Sequence, residues 1–300
     1  MKNNFAGYIT SFFLEYLSAE RGVSQHTIRS YSNTFTLLLT YMDEEKHIKA
    51  DKLTLDHLTR KSVLNFLDWL QNCRNSGNTT RNQRLAALHA FFKYMQYEDV
   101  QHLAQWQDIL SIKIKKAERR SVNYLTVEGI KLVLEQISTN TKLGRRDLAL
   151  ISFLYDSGAR VQELIDLTPA SLNLNKPYYV TLFGKGSKKR IVPLQDQQVA
   201  LLKNYMEENK LNKDSCNQRP LFANNRGEKL TNAGITYILN QYVNNARKID
   251  PELIPDKISP HCLRHSKAMH LLQAGVNLVY ISYPYFYKIR TFIDRTLIIN

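Results

Sequence analysis

The chain is 300 residues long and carries 41 lysines and arginines against 27 aspartates and glutamates, a formal net charge of +14. Hydrophobic residues make up 43% and charged residues 23%, which excludes wholesale disorder, a collagen-like repeat and a coiled-coil rod. The length suits two domains or one large one, and the positive excess points to a polyanionic partner, nucleic acid ahead of an acidic membrane surface.

Residues 1–110 read as helices joined by short polar turns. Ser24 can cap a helix whose apolar positions Ile28, Tyr31, Phe35, Leu38, Leu39 and Met42 fall on one face. The stretch 62–70 places Val63, Phe66, Leu67 and Leu70 in the same way, and a third helix from Thr79 or Thr80 runs through Leu85, Leu88, Phe92 and Met95. Arg81 and Arg84 stand near the start of that third helix, where exposed backbone N–H groups also favour a phosphate, and are candidate DNA-binding residues. Solvated surface arginines are the plain alternative.

Residues 111–122 contain Lys113, Lys115, Lys116, Arg119 and Arg120 against Glu118 and read as a basic linker. A second domain, 123–300, opens with Thr126 as a cap and Ile130, Val133, Leu134 and Ile137 on one face. Another helix is expected over 146–155. The period then changes: 178–183 and 190–194 are β-prone, and Gly184-Lys185-Gly186-Ser187-Lys188-Lys189 between them predicts a hairpin with a lysine-rich tip. Lys188, Lys189 and Arg190 are candidate DNA contacts there. Helical pattern resumes over 197–205, 235–243 and 261–273. The fold class expected is mainly α with a small antiparallel β-sheet. Cys73, Cys216 and Cys262 lie far apart, so neither a disulfide framework nor a zinc knuckle is expected, and no apolar stretch suits a membrane span or a secretion signal. A cytoplasmic protein is the expectation.

Each polar motif of the second domain has an ordinary structural explanation when taken alone. Arg160 in Gly158-Ala159-Arg160-Val161-Gln162-Glu163-Leu164 suits a salt bridge with Glu163, Lys185 suits a solvated turn, and His261 and Arg264 suit a capped helix start. Together, two arginines, a histidine and a loop lysine are the set that holds a phosphodiester and stabilises charge on its non-bridging oxygens. Arginine forks two oxygens and stays charged, lysine can protonate a leaving alkoxide, and histidine can donate or shuttle a proton. No carboxylate run with magnesium-ligand spacing is visible in the sequence, so phosphoryl transfer without metal or other cofactor is expected.

These motifs, in this order, resemble the active-site boxes of tyrosine recombinases, the phage-integrase and Xer-like site-specific DNA recombinases. The resemblance rests on the Arg160 motif, then Gly184-Lys185-Gly186-Ser187-Lys188-Lys189-Arg190-Ile191-Val192-Pro193-Leu194, then Ser259-Pro260-His261-Cys262-Leu263-Arg264-His265 with His270-Leu271-Leu272-Gln273-Ala274-Gly275. Residues 13–24 and 84–93 similarly resemble that family's helical core-binding domain. The resemblance implies a two-domain clamp on double-stranded DNA, with Arg160 and Arg264 on the phosphate, Lys185 as general acid, His261 assisting proton transfer and Glu163 supporting an active-site arginine. It further implies a tyrosine nucleophile, a 3′-phosphotyrosyl intermediate and a homo-tetramer on paired sites.

The likeness runs to about Ile281. In relatives the nucleophile lies about thirty residues after the second arginine, near Thr296 here, and no tyrosine stands there. Tyr283, Tyr285 and Tyr287 come earlier, with Pro284 breaking any helix through them. The expectation is a frame change or truncation in the gene, impaired cleavage and weakened tetramer assembly. The alternatives are a non-catalytic DNA-binding relative that occupies recombination sites and, behind it, a type IB topoisomerase-like enzyme.

Overall fold

The computed structural model describes residues 5–117, 123–184 and 189–277, and the chain divides into two compact units, Met1–Arg120 and Ser121–Asn300. In the first unit, α1 (Phe5–Ser11) runs on into a π-helical stretch, Phe12–Glu20, followed by α2 (Gln25–Lys46), α3 (Arg60–Asn72), α4 (Asn78–Glu98) and α5 (Leu103–Leu110). Ser24 caps α2 as expected, its hydroxyl accepting from the Thr27 N–H at 3.4 Å. The α3 cap is Thr59, ahead of the expected start: the Ser62 N–H donates to the Thr59 hydroxyl at 3.2 Å, while the Ser62 hydroxyl donates back to the His57 carbonyl. The spaced apolar positions Phe35, Leu38, Met42, Val63, Phe66, Leu67, Leu85, Leu88, Phe92 and Met95 are all buried.

Aromatic rings dominate this core. Phe91 of α4 meets Phe5, Phe12 and Phe35 edge-on at centroid separations of 5.9, 5.2 and 5.2 Å, the arrangement that puts a ring's positive edge against a neighbour's negative face. Phe92 stacks on Trp106 of α5 at 5.2 Å. The first part of the expected linker, through Ala117, is fastened to this unit. Asn82 of α4 donates from its amide to the Lys115 carbonyl at 2.7 Å and accepts from the Lys115 N–H at 3.0 Å, Asn78 donates to the Lys116 carbonyl, and Ile112 is buried.

The second unit comprises α6 (Val127–Glu135), α7 (Lys142–Ser157), α8 (Val161–Ile165), β1 (Leu172–Asn173), β2 (Tyr179–Phe183), β3 (Lys189–Pro193), α9 (Asp196–Glu208), α10 (Asn232–Ile249) and α11 (Pro260–Gln273). Three of these helices start alike: Thr126, Thr141 and Thr231 accept from the N–H of Gly129, Gly144 and Gly234 at 3.1, 3.0 and 3.0 Å. At Gly144 the glycine is a steric necessity, because a Cβ there would lie 1.8 Å from the Ser138 carbonyl oxygen.

The sheet is antiparallel in the order β1-β2-β3, with Leu172 opposite Val180 and Val180 opposite Val192. Alternation is visible along it: Val180, Leu182 and Val192 are buried, and Phe183 and Ile191 face outward. The expected hairpin is β2 and β3; the two-residue β1 is too short to leave a pattern. Its tip, 185–188, lies outside the described residues. The fold is mainly α with a small antiparallel sheet, and no described helix is long and apolar enough to cross a membrane. Phe91→Ala removes the ring on which three others converge and should cost about 3–5 kcal/mol, read as a lower urea midpoint at unchanged slope.

Candidate phosphate-binding site

The site is built where α7 ends. Ser157 is fully buried, its hydroxyl donating to the Phe153 carbonyl at 2.6 Å and accepting from the Ala159 N–H at 3.2 Å. Gly158 between them takes φ 55°, a left-handed conformation that costs a glycine little, so the helix stops and the chain reverses sharply. Arg160 then leads into α8 with an extended backbone. Its N–H donates to Glu163 Oε2 at 2.7 Å and its Nη1 to Glu163 Oε1 at 2.9 Å, while its side chain stays 47% exposed.

From the other side α11 delivers Arg264, only 6% exposed, with Nη1 donating to the carbonyl of Gly158. The turn that places one arginine therefore anchors the other. His261, one helical turn earlier and on the solvent side, has its proton affinity lowered by the protein crowded around it, then by the charges of Arg264 and Arg160. Arg160 leaves the turn, Arg264 is bonded to it, and His261 lies three residues before Arg264 on α11. His265 is pushed down to about 4 by burial, then by His261 and Arg264. Near neutral pH both rings are uncharged, each with one donor and one acceptor nitrogen.

Glu163 is buried, which by itself would raise its pKa, but the Arg190 guanidinium and the Arg160 N–H and guanidinium outweigh burial and hold it below the ordinary carboxylate value. Arg190 forks the carboxylate, Nη1 to Oε1 and Nη2 to Oε2, each at 2.5 Å. The sequence suggested Arg190 as a DNA contact; the structure instead turns it inward from β3, 14% exposed, because a buried carboxylate demands a partner. Lys189, its neighbour, is exposed opposite Phe183. Lys185 and Lys188 lie outside the described residues.

The expected arginine face on α4 is also corrected. Arg81 is 2% exposed and donates to Asn82 Oδ1 and the Lys113 carbonyl, and Arg84 reaches across to the Ser30 carbonyl and Thr34 hydroxyl of α2 at 3.1 and 3.2 Å. Burial lowers the proton affinity of both. Placed one helical turn apart, they tie the 111–117 segment and α2 to α4.

Sequence reasoning passed over a polar seam between α11 and α7. Lys267 Nζ lies 2.9 Å from Asp156 Oδ1, each side chain 11% exposed, and 5.1 Å from the centre of the Tyr155 ring. The Tyr155 hydroxyl and His270 Nδ1 are 2.8 Å apart. Arg264, Lys267 and His270 follow His261 at intervals of three, so each lies beside the next along the helix, a spacing that was available as a signal. Among the described residues no group of three or more His, Cys, Asp or Glu gathers as a metal site.

Residues 123–283 match the Phage integrase family, and residues 11–99 match the phage integrase N-terminal SAM-like domain. The chain belongs to the phage integrase family. Among its relatives, a Sinorhizobium fredii protein named integrase/recombinase y4rC is 34% identical over 279 residues, covering 93% of this chain and 83% of the relative. Tyrosine recombinase XerD of Oceanobacillus iheyensis is 34% identical over 273 residues, covering 90% and 86%. The same fold is seen in XerH recombinase in a post-cleavage complex with palindromic difH substrate, with a TM-score of 0.69 at 24% identity over 88% of this chain and 74% of that one. It recurs in the Tn1549 transposon integrase with transposon right-end DNA, with a TM-score of 0.70 at 16% identity over 93% and 91%. In this phage integrase chain Tyr283, Tyr285, Tyr287 and Thr296 lie outside the described residues.

Two measurements probe the site's supports. Because folding lowers the Glu163 pKa, its contribution to stability is complete above the ordinary value of 4.5 and is lost as pH falls through the lower folded value. The stability advantage of the natural chain over Glu163→Gln, read from urea melts, should therefore be constant near neutral pH and shrink in acid. Lys267→Met leaves Asp156 charged and buried and should cost about 3–5 kcal/mol, most of it recovered when Asp156→Leu is added.

Proposed function

We propose that this chain is a site-specific DNA recombinase that transfers a phosphodiester through a 3′-phosphotyrosyl intermediate. The observation that carries the reading is the convergence of Arg160, Arg264 and His261 on the turn after α7. Two guanidinium groups in one partly desolvated place suit a phosphate whose oxygens gain charge in the transition state. A tyrosine phenolate attacks phosphorus, the P–O bond to the 5′ oxygen breaks, and Lys185 protonates the leaving oxygen. His261, neutral near pH 7, donates to the phosphate or relays the phenol proton. Reversal by the 5′-hydroxyl of another strand reseals DNA without external energy, since the phosphotyrosyl bond retains that of the phosphodiester. No cofactor takes part.

In this reading duplex DNA lies in a clamp formed by the core-binding domain, 1–110, and the catalytic domain, 123–300, joined by the basic linker 111–122, with Lys188 and Lys189 at the hairpin on the backbone. Four copies hold two paired sites. Support comes from the +14 net charge and from the DNA carried by the XerH and Tn1549 integrase structures. A second reading, a non-catalytic relative that occupies recombination sites, is favoured by one observation: no tyrosine stands near position 296, and Tyr283, Tyr285 and Tyr287 come early.

The decisive experiment recovers a bound duplex from a random library, maps it by footprinting and presents it as a nicked suicide substrate. An adduct that survives denaturation and disappears in Arg160→Ala, Arg264→Ala and one tyrosine-to-Phe variant supports the enzyme; tight site binding without an adduct supports the second reading. Affinity should fall linearly on a log-log plot against salt. Salt-independent binding would remove both.

A further inference from the structure

We propose that Arg190 is a positioning residue for the phosphate site: by forking both oxygens of Glu163 it restricts Arg160 to a single side-chain prong on that carboxylate and keeps the rest of the Arg160 guanidinium available to a phosphate. The inference rests on the phosphoryl-transfer reading for what Arg160 holds, and on geometry alone for how Arg160 is held.

An ionised carboxylate offers about four acceptor positions. On Glu163 they are filled. Oε1 accepts from Arg190 Nη1 at 2.5 Å and Arg160 Nη1 at 2.9 Å, and Oε2 accepts from Arg190 Nη2 at 2.5 Å and the Arg160 N–H at 2.7 Å. The preferred geometry of a guanidinium on a carboxylate is the two-pronged fork, and Arg190 has taken it. Arg160 is left end-on, with one of its five N–H donors engaged and its side chain 47% exposed.

Removing Arg190 opens one position on each oxygen of a carboxylate that is only 3% exposed. Arg160 is already bound at one nitrogen, so the nearest donor to fill the gap is a second nitrogen of the same guanidinium. It then forks Glu163, and the donors it offered a phosphate turn inward. Lysine at 190 would restore the charge but not the fork, because a single ammonium cannot span both oxygens in parallel. The link also joins the hairpin to the turn, since Arg190 sits on β3, opposite Leu182 of β2, while Glu163 sits on α8.

The test has two arms, both using full-length Arg190→Gln and Arg190→Lys proteins whose melting temperatures are recorded beside the natural chain. Crystal structures without DNA should show Arg160 placing two nitrogens on Glu163 in both variants; Arg160 keeping one side-chain nitrogen there in both overturns the proposal. The second arm uses the footprinted duplex with the scissile phosphate replaced by a neutral methylphosphonate. The natural chain should prefer the phosphate duplex by about tenfold or more, as expected for a charged hydrogen bond. That preference should largely vanish in Arg160→Ala and in both Arg190 variants. A preference kept in full by both Arg190 variants overturns the proposal. A natural chain with no preference removes the phosphate reading instead, and the crystal structures then decide the proposal by themselves.

Discussion

Charge taken out of water has to be answered by charge or hydrogen bonds, and that constraint organises the second unit around the end of α7. Asp156, Gly158 and Glu163 fall within eight residues of chain, and each is met by a cation from elsewhere: Lys267 and Arg264 from α11 and Arg190 from β3. Two elements distant in sequence, α11 and β3, are thereby fixed to one turn. A single apolar contact could slide by a fraction of an ångström without penalty; a forked ion pair cannot, and the site inherits that definition.

The helices were legible because burial follows spacing. Ile130, Val133 and Ile137 of the α6 region, like Phe35, Leu38 and Met42 of α2, announce a buried face by period alone, and their capping residues Ser24 and Thr126 announce where it begins. The hairpin was legible from two β-prone runs around a glycine-bearing stretch. Strand β1 was not, since two residues carry no period, and neither was the start of α3, where Thr59, ahead of the apolar run, accepts from the Ser62 N–H.

For the site, sequence identified the residue types but not the direction in which each side chain turns. Arg81, Arg84 and Arg190 have the composition of a DNA face, and all three are drawn inside by acceptors far away in sequence: the Lys113 carbonyl, the Ser30 carbonyl and the Glu163 carboxylate. Nothing in a linear pattern separates an arginine that reaches for phosphate from one that reaches for a carbonyl. Arg160 and His261 differ in being held only in part, and they remain accessible.

The glycines that follow Thr126, Thr141 and Thr231 look alike in sequence but not in freedom. Gly234 would bring a Cβ to 3.3 Å from one threonine hydroxyl, whereas Gly144 would drive it into a backbone carbonyl. Since α7 runs sixteen residues, about 24 Å at 1.5 Å per residue, its first turn acts as the fulcrum of a stiff lever whose far tip carries Gly158 and Arg160. A methyl group added at Gly144 would be an injury to the candidate phosphate site inflicted from the opposite end of the helix.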